Sequence, residues 1–188
     1  EAMAVQDLTL AELGEEIPVT KVAINAAGRA VAAPIYATLA GPSGLVLPRP
    51  ARGIAGIEVE IAVRLARTVT PELAAGPARD LLSAIESFHV GIEIIGTRFD
   101  DRAAAGVNGP LADNLITAGY VWSPALWTRG PDISDVDIAV EIDGNIAWSG
   151  KGVHPFGGVL EPILAYGRTP LDGYGALAKG RIVTTGTL

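Results

Sequence analysis

The chain has 188 residues and a formal net charge of −7, and hydrophobic residues make up 49% of it. This length and apolar content predict a globular domain with a core of its own and exclude a disordered chain. The acidic balance and the scattered basic residues argue against a nucleic-acid partner, which needs a basic surface for the phosphates, and the absence of cysteine excludes disulfides and thiolate metal sites.

No apolar run approaches the roughly 20 residues of a membrane span, and the residues after Glu1 lack the basic and apolar segments of a secretory signal. We therefore expect a cytoplasmic protein without a membrane partner. Met3 is internal, and Arg181–Leu188 has the pattern of a strand inside a sheet. We therefore expect residues 1–188 to form one domain that is incomplete at both ends.

The first half of the chain is predicted to be mostly strand and loop. In chain order, we predict a helix at Leu8–Glu16, a strand at Val19–Ile24, a short helix or turn at Ala26–Ala33, an extended segment at Pro34–Leu39, a turn at Gly41–Gly44 and a long strand at Ile54–Ala66. Thr70 and Pro71 then have the pattern of a helix start, with Thr70 as the N-cap.

The second half contains clearer helices and one hairpin. In chain order, we predict a helix at Ala78–Phe88, a strand at Val90–Arg98, a loop at Phe99–Pro110, a helical turn at Leu111–Gly119, a segment at Tyr120–Trp127 that leads into a strand, a hairpin formed by Asp137–Asp143 and Ile146–Ser149, and a helix at Val159–Tyr166. The whole pattern predicts an α+β domain with more strand than helix.

Two of these strands carry acids where apolar residues are expected. Side chains alternate between the two faces of a strand, so Glu58 and Glu60 project together from the face opposite Ile57, Val59 and Ile61. A solvated strand face, with Arg64 as an ion partner on the same side, is the simplest explanation for this pair alone.

Glu93 is a lone acid inside the apolar run Val90–Ile95. A buried unpaired carboxylate is costly, so acids in such positions are usually paired or bound to a cation. Three carboxylates without a basic neighbour in sequence predict a site for a hard divalent cation, Mg²⁺ or Mn²⁺, formed by Glu58, Glu60 and Glu93.

Several separated stretches together carry a family resemblance. They are, in chain order, Thr20–Ile24, Ile57–Ala62, Phe88–Phe99, Leu111–Asn114, Val153–Pro155 with Leu164–Ala165, and Gly180–Leu188. In this order they resemble the 2-keto-4-pentenoate hydratase family of the fumarylacetoacetate hydrolase superfamily, which also includes 4-oxalocrotonate decarboxylases. The similarity covers most of the chain, and all three acids match the metal carboxylates of that family.

The resemblance implies a strand-rich mixed β-roll with flanking helices and a lyase that acts on a small 2-oxo acid. It implies that Lys21 is the catalytic residue that moves protons or contacts the substrate carboxylate. It also implies substrate contacts at Arg98, Asp113 and Asn114. From the residues alone, a surface role for Lys21 and a helix-capping role for Asp113 or Asn114 stay open. An ion pair of Arg98 with Asp100, Asp101 or Glu93 stays open as well.

This sequence also departs from the family pattern. Hydratases of the family usually have an acid shortly after the stretch that resembles Ile35–Leu39, whereas Ala40–Ser43 supplies none, and Gly96 stands where an Asp is frequent. A hydratase is therefore the first hypothesis, and a decarboxylase, an acylpyruvate hydrolase or a degenerate metal-binding member are the alternatives. Because a chain that ends at Leu188 would leave a sheet edge uncovered, we also expect either a homo-oligomer or further residues that cover the edge.

Overall fold

The computed structural model describes residues 1–50 and 52–188. Its helices are α1 (Ala2–Leu13), α2 (Pro71–Ala75), α3 (Ala78–Leu82), α4 (Gly109–Ala112) and α5 (Glu161–Arg168). Its strands are β1 (Val19–Ile24), β2 (Ala30–Ile35), β3 (Ala40–Pro42), β4 (Gly56–Leu65), β5 (Ile85–Ile95), β6 (Thr117–Leu126), β7 (Asp137–Ile142), β8 (Asn145–Lys151) and β9 (Ile182–Thr184). The predicted α+β class, with more strand than helix, is confirmed.

Seven strands form one mixed sheet in the order β2-β1-β9-β4-β5-β6-β3. The pairs β1–β9 and β3–β6 are parallel, and the other neighbours are antiparallel. Strand β2, at one edge, also contacts β6, which lies next to the other edge. The sheet is therefore curled into a roll, with β7 and β8 forming a separate hairpin.

The two faces of the sheet have different chemistry. The outer face packs against the helices in the main core, which includes Val63, Leu65, Val183 and Ile163 of α5. The inner face holds a second, smaller apolar cluster: Val19, Ile35, Ala40, Ala62, Tyr120 and Ile182. Because residues alternate along β4, Glu58 and Glu60 share the inner face with Ala62. The acids therefore point into the roll.

The predicted helix at Ala78–Phe88 is wrong beyond Leu82. The chain turns at Ser83, and β5 begins at Ile85, which pairs with Leu65 of β4. Ile85 and Phe88 still pack against the main core. Their apolar spacing fits a helix and this strand equally well, and the long-range backbone pairing with β4 decides between the two.

Other predicted boundaries shift for local reasons. The Ala26–Ala33 prediction holds only as a turn, because the Asn25 side chain accepts hydrogen bonds from the backbone N–H groups of Ala27 and Arg29 at 3.0 Å each, and β2 begins at Ala30. Helix α1 starts earlier than predicted, at Ala2, and ends at Leu13, with Gly14 as a C-cap whose φ of 62° is left-handed. The predicted N-cap at Thr70 is confirmed.

Candidate metal centre

Three carboxylates meet on the inner face of the roll. Glu58 and Glu93 lie directly opposite each other in the antiparallel pairing of β4 with β5, and Glu60 is the next residue on the same face of β4. One carboxylate oxygen from each residue lies within 4.8 Å of the other two. Glu60 and Glu93 are completely buried, whereas the Glu58 side chain is 32% exposed. The residues predicted as metal ligands are thus brought together, with Glu58 on the accessible side.

Lys21 of β1 reaches the same point from the other side of β9. Its Nζ lies 2.8 Å from Glu93 Oε1 and 3.6 Å from Glu58 Oε2. Burial alone lowers the pKa of Lys21, but the charges of the three carboxylates, led by Glu93, raise it above its ordinary value. Lys21 therefore lies at the site as a cation in the metal-free chain, and its catalytic role stays a prediction.

One lysine cannot neutralise three carboxylates. Burial, followed by the charge of Glu93, raises the pKa of Glu60 well above its usual range. Burial also raises the pKa of Glu93, against the opposing influence of Lys21. Ionised carboxylates are therefore costly in this poorly solvated place, and a bound cation would offset that cost.

The unused oxygen atoms indicate where a cation fits. Among the described residues, neither Glu60 oxygen has a hydrogen bond of good geometry, although the Gly186 backbone and the Tyr120 hydroxyl lie close to this carboxyl group. Glu93 Oε2 likewise has no partner. Buried carboxylate oxygens without partners are rare in folded proteins. Together with Glu58 they form an all-oxygen donor set, which suits a hard divalent ion such as Mg²⁺ or Mn²⁺.

Tyr120 of β6 forms part of the wall beside Glu60. It is opposite Glu93 in the β5–β6 pairing and is completely buried. Burial, together with the charge of Glu60, raises the pKa of the Tyr120 hydroxyl well above its usual range. A Cβ atom on Gly91 would lie 1.9 Å from this hydroxyl oxygen. Gly91 thus lacks a side chain where the Tyr120 ring crosses β5.

The predicted substrate contacts lie together but bond to one another. The Arg98 side chain donates from Nε to Asp113 Oδ1 and from Nη2 to the Asp113 carbonyl at 2.7 Å. Thr97 Oγ1 also donates to Asp113, at 2.6 Å. Arg98 therefore forms an ion pair, but its partner is Asp113 and not Asp100, Asp101 or Glu93, the acids that the sequence suggested.

Asn114 follows directly and is buried, with a left-handed φ of 49°. It lines a cavity of about 330 Å³ that also involves Tyr36, Arg98 and Asp113. A substrate role for these residues stays a prediction.

Sequence reasoning missed Thr117. Its hydroxyl donates a hydrogen bond to Glu93 Oε1, the same oxygen that binds Lys21. Tyr120 lies on the inner face of the roll, and regular alternation along β6 would place Thr117, three residues earlier, on the outer face. The sequence pattern therefore contains no signal for this contact.

No protein-family model matches the chain, and a comparison with curated proteins gives no match. Solved structures do match. The 4-oxalocrotonate decarboxylase from Pseudomonas putida G7, complexed with calcium and acetate, has a TM-score of 0.76 at 18% identity, over 99% of this chain and 74% of that one. Its complex with magnesium and adipate has a TM-score of 0.77 at 17% identity, over the same shares. A proposed fumarylacetoacetate hydrolase family protein from Yersinia pestis CO92 has a TM-score of 0.60 at 18% identity, over 92% and 83%.

These matches establish the fold. The chain has the fumarylacetoacetate hydrolase-like fold that the sequence resemblance implied, as a strand-rich roll with flanking helices. Within the described residues, no helix combines the length and the apolarity that crossing a bilayer requires.

Proposed function

We propose that the chain is a divalent-metal-dependent lyase that hydrates a small 2-hydroxy-dienoate or 2-oxo-enoate of aromatic catabolism. One observation carries the proposal: three carboxylates converge, and among the described residues several of their own buried oxygens have no hydrogen bond of good geometry. Mg²⁺ or Mn²⁺ is the proposed ion. The cytoplasmic location and the homo-oligomer expected from the sequence are part of the same proposal.

Glu58, Glu60 and Glu93 would hold the ion. When bound, such an ion acts as a Lewis acid toward the 2-oxo and carboxylate oxygens of a 2-oxo acid. The two buried acids form the floor of the site, and the partly exposed Glu58 marks the side from which a substrate approaches. The carboxylates thus fix the position of the substrate relative to Lys21.

Lys21 is the proposed proton-transfer group. Its ammonium hydrogen-bonds Glu93 and lies 3.6 Å from Glu58, so a dication bound by these carboxylates would draw their charge away from Lys21. The ammonium could then bind the substrate carboxylate or donate a proton to a carbon, whereas only the deprotonated amine could take a proton from one. Tyr120, whose hydroxyl is buried beside Glu60, helps to keep bulk water out of the floor of the site.

A 4-oxalocrotonate-type decarboxylase is the second candidate. The match to the Pseudomonas putida G7 decarboxylase over 99% of this chain favours it, and its complex with magnesium and adipate supports a dicarboxylic substrate. The absence of an acid in Ala40–Ser43 favours it as well, because decarboxylation requires no group that activates water. An acylpyruvate hydrolase and a degenerate metal-binding member are the remaining alternatives.

The experiment that tests the proposal combines metal binding with turnover. Mg²⁺ and Mn²⁺ binding is measured by calorimetry, and turnover is then assayed with 2-hydroxypentadienoate, oxaloacetate and an acylpyruvate, for wild type and Glu60→Gln. Metal-dependent loss of the dienoate supports the hydratase, and release of CO₂ supports the decarboxylase. Metal binding without turnover of any substrate supports the degenerate member, and no metal binding overturns the proposal.

A further inference from the structure

The two oxygens of Glu93 have different surroundings. Oε1 accepts hydrogen bonds from Lys21 Nζ, at 2.8 Å, and from Thr117 Oγ1. Oε2 is buried and has no partner among the described residues. Lys21 and Thr117 thus hold Oε1, and Oε2 is left for an ion bound between the acids.

A β-bulge brings Thr117 to the inner face of the roll. Ile94 pairs with Gly119, but its neighbour Ile95 pairs with Thr117, so Ala118 is an extra residue in β6. One extra residue reverses the alternation of faces along the rest of the strand. Without the bulge, the Thr117 side chain would point away from Glu93.

The three residues before Thr117 have an unusual backbone. Asn114, Leu115 and Ile116 have φ values of 49°, 53° and 58°, all in the left-handed region. Residues with a Cβ avoid this region, and consecutive examples are rarer still. Such a segment persists only where the surrounding contacts hold it.

Arg98 supplies these contacts. Its Nη2 donates to the carbonyl of Asp113 at 2.7 Å, and its Nη1 donates to the carbonyl of Thr117 at 3.1 Å. These two carbonyls lie at the two ends of the left-handed segment. A third bond, from Nε to the Asp113 carboxylate, fixes the plane of the guanidinium. One side chain therefore spans the segment and sets where Thr117 lies.

We propose that Thr117 is a positioning residue of the metal centre and that Arg98 acts through it. The Thr117 hydroxyl holds Glu93 Oε1, so Glu93 offers only Oε2 to the ion. This inference rests on the proposed function, because it requires that the three carboxylates bind a divalent cation.

The arrangement has a consequence for ion selectivity. Mg²⁺ takes single oxygen atoms in a strict octahedron, whereas Ca²⁺ accepts six to eight ligands and readily binds both oxygens of one carboxylate. Holding Oε1 away from the ion restricts Glu93 to one bond. Thr117 therefore favours Mg²⁺ over Ca²⁺.

The test compares Thr117→Val, which removes the hydroxyl at nearly constant shape, with Thr117→Ser, which retains it. The matched control is Thr20→Val, because Thr20 is a buried threonine on the other face of β1 from Lys21 and its hydroxyl has no partner among the described residues. Mg²⁺ and Ca²⁺ affinities are measured by calorimetry, with circular dichroism to verify the fold.

We expect Thr117→Val to weaken Mg²⁺ binding by about 10- to 100-fold, as is usual when a residue that orients a metal ligand is lost. Ca²⁺ binding should weaken less, so the ratio of the two affinities changes. Thr117→Ser should stay within about threefold of wild type, and Thr20→Val should not change either affinity. An equal loss for both ions, or no loss for Mg²⁺, overturns the inference.

A double-mutant cycle tests the role of Arg98. If Arg98 acts through Thr117, Arg98→Gln weakens Mg²⁺ binding in wild type but adds little in the Thr117→Val background. Fully additive losses overturn this step. If the wild-type protein binds neither ion, the proposed function is contradicted. If wild type binds Mg²⁺ and Thr117→Val binds it equally tightly, only the inference is contradicted.

Discussion

Glu58 of β4 and Glu93 of β5 occupy opposite positions in an antiparallel pair, so two carboxylates face each other across neighbouring strands. Like charges in this arrangement destabilise a sheet. Glu60, two residues along β4, adds a third carboxyl, and Lys21 hydrogen-bonds Glu93 and lies 3.6 Å from Glu58. The fold therefore tolerates a local cost at the place where a divalent ion would offset it.

Glu60→Gln should increase the stability of the metal-free protein and abolish its stabilisation by Mg²⁺. It replaces a buried carboxyl whose ionised form is costly with a neutral amide that can donate hydrogen bonds, so we expect the metal-free protein to gain about 1–2 kcal/mol. Mg²⁺ at 100 times its Kd should stabilise wild type by about 2.7 kcal/mol and leave Glu60→Gln unchanged. Thermal unfolding with Mg²⁺ or with EDTA measures both effects.

The exposed Glu12 of α1 provides the control for that experiment. Glu12→Gln should change neither the melting temperature nor its response to Mg²⁺. A Glu60→Gln protein that still gains stability from Mg²⁺ would remove Glu60 from the metal site.

Lys21→Met should destabilise the metal-free protein, because it leaves the carboxylates without their cation. Loss of one partner from a buried pair costs about 3–5 kcal/mol, which urea denaturation can measure. Mg²⁺ should restore much of this stability, since the ion would neutralise the same carboxylates. Turnover should be lost while calorimetry still detects Mg²⁺ binding, and Lys21→Arg shows whether charge alone suffices. Full turnover by Lys21→Met would exclude Lys21 from the mechanism.

His154 should make stability depend on pH. It is buried, its Nδ1 accepts from the Phe156 N–H at 3.3 Å, and its Nε2 lies 3.2 Å from Thr185 Oγ1, so both contacts suit the neutral ring. Burial lowers the pKa of His154 from 6.5 to about 4. The unfolded chain therefore binds this proton first, and stability should fall by about 2 kcal/mol as the pH drops from 6.5 to 4.

The matched variant for this prediction is His154→Gln. Glu60 and Glu93 have raised pKa values, so they contribute the opposite slope in both proteins, and the difference between the two pH profiles isolates His154. Urea denaturation across this pH range is the measurement. Parallel profiles would show that His154 does not titrate as described.

The sheet edge expected at the end of the chain is wrong, because β9 pairs with β1 on one side and β4 on the other. The homo-oligomer stays a prediction, for which the outer surface of β4 and β5 offers a different reason. Ile57, Val90 and Ile92 are each more than a third exposed, and together with Trp148 of β8 they line neighbouring apolar grooves. Exposed apolar patches of this kind usually mark an interface. We expect light scattering to give a mass above 19.3 kDa for wild type and a lower mass for Ile92→Asp. A monomeric wild type at micromolar concentration would contradict the expectation.

Local patterns predicted much of the secondary structure because they reflect local physics. The alternation around Glu58 and Glu60 gave both the strand and the shared face, and the Thr70 cap marked the start of α2. The prediction failed at Ile85–Phe88, where apolar spacing fitted two structures and only pairing with β4 chose one. The acids were identified from their residue types, because a carboxylate inside an apolar strand is unusual in any fold.

The sequence by itself determined which residues carry charge and which strand face each occupies over a few neighbouring positions. The register of β4 on β5, which sets Glu93 against Glu58, was decided by the tertiary structure, and so was the approach of Lys21 from a strand two places away. The bulge at Ala118 shows the reason: one extra residue reverses the face on which Thr117 lies. Such a change depends on long-range pairing, and alternation along a single strand does not encode it.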